Sequence, residues 1–263
     1  MTEIAVTSRD NPIVKRLRKL AESARARHET RMALLDGEHL LAACLDAGGA
    51  PHTLVRAASC PVERGASLAA RCPLARRLVL PDALFAELSP VATPTGILAE
   101  VSWLVPEVPV GTPFVIVLED IQDPGNLGAM LRTAAAAGAT LAVLSRGCHD
   151  PWSPKALRGG QGAQFVLPML LDAEVPGWLA AFEGCSVALA LGEPRDFYAG
   201  HYTGPTALVV GNEGAGLSAA AAQAARLRAQ IPMPGKVESL NAAAALAAAL
   251  FEVVRQRRVV AAA

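Results

Sequence analysis

Apolar positions along this chain recur in two periods. Ile13, Leu17, Leu20, Ala21 and Ala24 fall three and four apart, the spacing of one helical face. Asn11-Pro12 ahead of them reads as an N-cap followed by proline at the first helical position. Leu246, Leu250, Val253 and Val254 mark a second helical stripe in alanine-rich sequence, predicted to start around Ser239. Short unbroken apolar runs at residues 114–118, 141–144, 186–191 and 206–210 read instead as buried strands. In the first third, a strand at residue 34 and a helix ending at Gly48 come first. A strand from Thr53, a helix over 66–71, a strand over 77–80 and a helix over 82–88 follow. After Gly125 a helix runs until Gly138, and Ser153 caps a helix over 153–158 before a flexible loop, Gly159-Gly-Gln-Gly162. Strands alternating with helices predict an α/β chain. Three prolines and a glycine in residues 104–113 suit a linker, which sets the expected domains at 1–103 and 114–263.

Ile231-Pro-Met-Pro-Gly-Lys-Val-Glu-Ser-Leu-Asn241 cannot be one regular element. Pro232 and Pro234 each remove a backbone donor, and Gly235 lets the chain turn without a Cβ penalty. A strand is therefore predicted to end near Ile231 and an irregular loop to follow. Two further glycine-punctuated loops, after residues 118 and 210, also come directly behind apolar runs. Three such loops at the carboxyl edge of one parallel sheet would form a ligand site.

Composition narrows this reading only slightly. Hydrophobic residues are 52% and charged residues 18%, a globular balance, and 24 basic side chains meet 24 acidic ones. The distribution is uneven, however. Arg9, Lys15, Arg16, Arg18, Lys19, Arg25, Arg27 and Arg31 face only Asp10, Glu22 and Glu29, so Lys15, Arg16, Arg18 and Lys19 on the first helix form either a solvated face or a phosphate-contacting one. The five cysteines have no paired metal-ligand spacing, so reduced thiols are expected rather than disulfides or a metal site. Neither a signal peptide nor a membrane-spanning run is read from the sequence, and a cytoplasmic protein is expected.

Three stretches, in order, carry a resemblance: Asn126-Leu-Gly-Ala-Met-Leu-Arg132-Thr-Ala, Gly211-Asn-Glu-Gly-Ala-Gly-Leu217, and Ile231-Pro-Met followed by Ser239-Leu-Asn241. Together they resemble the motifs of the SpoU (TrmH-type) RNA 2′-O-methyltransferases of the SPOUT superfamily. The resemblance implies a C-terminal trefoil-knotted parallel-sheet domain, with Ile231–Asn241 threaded through the knot, behind a smaller α/β substrate-binding domain whose last strand would start at Thr93. It implies S-adenosylmethionine as cofactor, held by Gly211, Asn212, Leu217, Ile231, Met233 and Leu240. It implies catalytic or orienting roles for Asn126, Arg132, Glu213, Ser239 and Asn241. For Arg132 two roles stay open, general base and phosphate clamp; a guanidinium that is always protonated weighs against the first. Ala242 and Ala243 stand where relatives often carry valine and serine, and any role of that serine does not transfer.

The substrate implied is structured RNA, ribosomal in view of the N-terminal domain. Transfer RNA as substrate, and a non-catalytic RNA-binding protein with the same fold, remain as alternatives. A nicotinamide-dependent oxidoreductase is disfavoured, because no G-x-G-x-x-G opens a βαβ unit. A homodimer is expected through the C-terminal helix.

Overall fold

The computed structural model describes residues 3–64, 66–89, 94–111, 113–193 and 195–261. The chain forms two compact units, Met1–Leu104 with Asp150–Val166, and Val105–His149 with Leu167–Ala263. In chain order the elements are β1 (Ile4–Ala5), α1 (Pro12–Glu22), α2 (Ala24–Thr30), β2 (Met32–Asp36), α3 (Glu38–Asp46), β3 (Pro51–Ala57), α4 (Ala66–Ala70), β4 (Arg76–Leu80), α5 (Asp82–Leu88) and β5 (Ile97–Ser102). Then follow β6 (Phe114–Leu118), α6 (Pro124–Ala136), β7 (Leu141–Ser145), α7 (Pro154–Gly160), β8 (Met169–Ala173), α8 (Val175–Ala181), β9 (Cys185–Leu189), β10 (Thr206–Val210), α9 (Ala219–Ala224), β11 (Leu227–Ala229) and α10 (Ala242–Ala261).

The first unit is built on a five-stranded mixed sheet in the order β1-β4-β3-β5-β2. Asn11 caps α1, its side-chain oxygen accepting from the Ile13 N–H at 2.9 Å, and Val14, Leu17 and Leu20 form the buried face. The last strand begins at Ile97; Thr93, where the sequence places its start, lies outside the described residues. The segment 150–166, which the sequence reading assigns to the C-terminal domain, packs in this unit. Trp152 stacks on Trp103 with ring centroids 4.9 Å apart, and the Arg27 Nε donates to Asp150 Oδ2 at 2.6 Å. Both members of that ion pair are nearly sealed from solvent, so each charge depends on the other. Here the expected flexible loop at Gly159–Gly162 is corrected: Gly159 and Gly160 complete α7, and a Cβ at Gly160 would meet the buried Gln164 amide at 2.3 Å.

The second unit is a six-stranded, wholly parallel sheet in the order β11-β9-β10-β6-β7-β8. Its central strands β6 and β10 are buried along their full length, which is why both are unbroken apolar runs rather than alternating ones. They align with Phe114 opposite Thr206 and Leu118 opposite Val210, so the loops that follow leave the sheet side by side. Residues 104–111 and 113 contain no helix or strand, and Thr112 lies outside the described residues.

The C-terminal helix departs from expectation twice. It starts at Ala242 rather than near Ser239, because Asn241 is its cap, with Oδ1 accepting from the N–H groups of Ala243 at 2.9 Å and Ala244 at 3.3 Å. Leu246, Leu250 and Val253 are fully buried within the chain's own core; the exposed apolar side chains of α10 are Phe251, Val259 and Val260. The expected dimer surface therefore cannot consist of the first three.

Candidate active site

The site is assembled where β6 and β10 end. Behind β6, Asp123 caps α6 by accepting from the Asn126 N–H at 2.8 Å, which puts Asn126 in the first turn with its side chain free to point away from the helix. Behind β10, residues 211–217 fold into a closed turn. Asn212 and Gly216 exchange two backbone hydrogen bonds of 3.0 and 2.9 Å, and the Asn212 Oδ1 accepts from Gly214 and Ala215. Gly216 sits at φ +71°, and a Cβ on Gly211 would lie 2.3 Å from the Gly216 carbonyl oxygen, so both glycines are required by the turn.

Two side-chain contacts fasten this turn to the β6 loop. Asn212 Nδ2 donates to the Asp120 carbonyl at 2.9 Å. At the far end, Glu119, only 8% exposed, accepts from both the N–H and the hydroxyl of Ser218 at 2.8 Å. The sequence reading missed Glu119 and Ser218; a charged residue directly after a fully apolar strand is the signal that could have found Glu119.

A hydrogen-bonded chain then joins all three loops. Asn126 Nδ2 donates to Glu213 Oε1 at 3.0 Å, and Asn241 Nδ2 donates to Asn126 Oδ1 at 3.1 Å. The Gln122 and Asp123 N–H groups add longer bonds to the same carboxylate. Burial pushes the Glu213 carboxyl up. The hydrogen bonds from Asn126 and the backbone outweigh this and hold it below the usual carboxylate range.

Beside this chain lies a cavity of about 450 Å³. Gly211, Asn212, Leu217, Ile231, Met233 and Leu240 all line it, as do Glu213 and Ser239. The sequence reading missed its other wall, Leu189-Ala190-Leu191 at the end of β9, together with Ala242 and Ala245.

Two groups of sequence-selected residues are not gathered here. Arg132 lies six residues beyond Asn126, about 120° round the helix by ideal geometry. It is exposed and forms no ion pair among the described residues. The basic residues of α1 belong to the other unit and are mostly engaged. Lys15 pairs with Asp10 at 2.7 Å and Arg18 with Glu87 at 2.9 Å. Arg16 makes a bidentate pair with Glu100 at 2.6 and 2.7 Å. Lys19 is exposed and has no ion-pair partner among the described residues.

Residues 113–251 match the model of the SpoU rRNA Methylase family, and residues 11–99 match an MRM3-like substrate binding domain. The chain belongs to the SpoU rRNA methylase family. An uncharacterized tRNA/rRNA methyltransferase of Synechocystis is 34% identical over 263 residues, covering 96% of this chain and 94% of the relative. The Bacillus subtilis 23S rRNA (guanosine(2553)-2′-O)-methyltransferase RlmP is 32% identical, covering 94% and 98%. Among solved structures, the AdoMet-bound rRNA methyltransferase from Sinorhizobium meliloti superposes with a TM-score of 0.82 at 31% identity, covering 96% of this chain and 97% of that one. The SpoU methyltransferase AviRb from Streptomyces viridochromogenes in complex with AdoMet superposes equally well at 26% identity, covering 95% and 100%. For this SpoU chain, the similarity to relatives spans both units rather than the parallel sheet alone.

Proposed function

We propose that this SpoU-family chain transfers a methyl group from S-adenosylmethionine to a ribose 2′-hydroxyl of ribosomal RNA. The observation that carries the reading is that Glu213 belongs to two structures at once. It lines the 450 Å³ cavity and it anchors the Asn126–Asn241 hydrogen-bonded chain, so a ligand in the cavity would lie against those amides. The cavity suits the cofactor: a glycine turn with no room for a Cβ brings backbone donors and acceptors to its edge, and Leu217, Ile231, Met233 and Leu240 offer apolar contact. When bound, the cofactor supplies an electrophilic methyl on a sulfonium.

The protein's share is orientation. Holding acceptor and donor in near-attack geometry is worth on the order of 7–11 kcal/mol. Glu213 fixes the Asn126 amide, which in turn fixes Asn241, and with Ser239 these groups would orient the acceptor ribose. Arg132, charged and without an ion-pair partner among the described residues, is suited to holding a substrate phosphate. A guanidinium stays protonated, so the clamp role is favoured over that of base.

A homodimer fits the same reading. Phe251, Val259 and Val260 are each more than half exposed on α10, the helix that packs against α6. The trefoil knot and a cytoplasmic location are further parts of this proposal, and no described helix is long and apolar enough to cross a membrane. The test is methyl transfer from tritiated cofactor to separate ribosomal-RNA and transfer-RNA pools, followed by mapping of 2′-O-methyl positions. Label confined to transfer RNA would replace the substrate; label in neither, with cofactor still bound, would favour the non-catalytic RNA-binding alternative.

A further inference from the structure

The first unit contains a second cavity, about 430 Å³, on the sheet face beneath α4. Helix α4 is five residues long and buries none of them, so it leaves this face open. Leu41, Leu54 and Ile97 supply apolar walls, and Arg56, Arg64 and Arg77 also line the cavity. The three arginines are in different states. Arg56 is locked: Nε and Nη2 donate to Glu3 at 3.0 and 2.6 Å, and Nη1 donates to the carbonyl oxygens of Ala57 and Cys60. All three of its nitrogens donate, which leaves a rigid flat cation. Arg64 is half exposed and gives only its Nε to Glu38. Arg77 makes no ion pair among the described residues, although its charge is felt by Glu3, which lines the same cavity; Nη2 donates to the Ala69 carbonyl at 3.0 Å, and its Nε is sealed from solvent with no acceptor among them.

We infer that this cavity binds a single nucleotide unit, its base against the apolar wall and the Arg56 plane and its phosphate on Arg77 and Arg64. Unstacked bases are held by apolar side chains and guanidinium planes, and the outer N–H groups of Arg77 and Arg64 are the charge-assisted donors that suit a phosphate oxygen. A cavity of this size lies within the range of small-ligand sites, about 300–1,000 Å³. A nucleotide of an RNA strand is the source expected from the proposed function, on which that choice of source rests; a free nucleotide has the same chemistry.

The experiment uses the full chain with the Gly211–Leu217 cavity saturated by S-adenosylhomocysteine. Binding of uridine 5′-monophosphate and of a fluorescent single-stranded oligouridylate is measured for the native chain, Ala66→Trp and Arg77→Gln. Ala66 is exposed on a helix that buries nothing, so the tryptophan fills the cavity mouth without touching the core. Each variant should weaken nucleotide binding roughly 5- to 100-fold, the range for loss of one stacked base or of one charge-assisted phosphate contact, and leave S-adenosylhomocysteine affinity unchanged. An oligomer bound far more tightly than the monophosphate identifies an RNA strand as the source; equal affinities identify a free nucleotide. Affinities within twofold of native for Ala66→Trp, or no binding of either probe by the native chain, overturn the inference. If native chain and variants bind RNA alike and methylate it, only the cavity assignment fails. If the variants lose nucleotide binding but no RNA is ever methylated, only the proposed activity fails.

Discussion

Asn241 Nδ2 donates to the side-chain Oδ1 of Asn126 across 3.1 Å, although 115 positions separate the two in sequence. The same Asn241 caps α10 and the same Asn126 holds Glu213. Removing either amide therefore breaks one link that both share. Asn126→Ala and Asn241→Ala should each lower kcat on the order of 10- to 100-fold, the effect of losing a hydrogen bond to or through a charged group. The double variant should lose less than the product of the two, since coupled residues are not additive. Multiplicative losses in a double-mutant cycle would show that the two amides act independently.

Arg132 is expected to act in the transition state more than in binding. Arg132→Ala should lower kcat by at least about 100-fold with cofactor affinity unchanged, because a group that stabilises the reacting arrangement shows in the rate. Arg132→Lys should recover only part of this, since an ammonium lacks the bidentate fork. Single-turnover methylation and calorimetry check the two halves. A drop in cofactor affinity equal to the drop in turnover would place Arg132 in the cofactor site instead.

Gly211→Ala tests the turn that edges the cavity. The added methyl would meet the Gly216 carbonyl and the Leu217 nitrogen at 2.3–2.4 Å, both of them backbone atoms that cannot swing aside. The turn must open, and cofactor affinity should fall at least about tenfold. The β10 core is untouched, so circular dichroism should be native. Unchanged cofactor binding would mean that residues 211–217 do not touch the ligand.

The three loops were readable because each carries its information locally: prolines and glycines exclude helix and strand, and apolar runs place a buried strand before them. What joins the loops was not readable in this way. The Glu213–Asn126–Asn241 chain depends on which strands lie side by side in the sheet. The pairing of β6 with β10 is set by burial of two runs that look alike from sequence. Leu189–Leu191 escaped notice for the same reason, since β9 becomes a cavity wall only by lying next to β10. Apolar periodicity on α10 marked a packed face correctly but could not say against what, and Leu246, Leu250 and Val253 face the chain's own core. On α1, charge alone did not reveal that Arg16 has a buried partner.

Glu213 gives the site an acid limit. Its folded pKa is depressed, so its contribution is present above the unfolded carboxylate value and is lost as pH falls through the lower folded one. The hydrogen-bonded chain should therefore survive unchanged between about pH 5 and pH 8, and cofactor affinity should be flat there. Glu213→Gln should weaken the anchoring of Asn126 equally at both ends of that window. A native affinity that falls between pH 7 and pH 5, with Glu213→Gln insensitive over the same range, would mean that the carboxyl titrates higher than its partners allow.

The basic face of α1 separates a structural arginine from an available lysine. Arg16 holds Glu100, whose side chain is 1% exposed and also accepts from the Thr53 hydroxyl at 2.7 Å. Arg16→Glu would place a second carboxylate against it and remove two charge-assisted hydrogen bonds, a loss of about 1.5–3 kcal/mol or more in stability. A thermal melt should show this directly, and any weakening of RNA binding by that variant would be confounded by it. Lys19 has no such duty, since it is exposed and without an ion-pair partner among the described residues. Lys19→Glu should leave the melting temperature within error. If α1 grips phosphate, the same change should lower RNA affinity at low salt and reduce the salt slope by roughly 0.9, the share of a single neutralised phosphate on a duplex. Cofactor affinity should not respond, because Lys19 belongs to the first compact unit and the cofactor cavity to the second. An unchanged salt slope for Lys19→Glu, with folding intact, would assign this face to solvent and leave the open arginine-lined cavity of the same unit as the candidate RNA site.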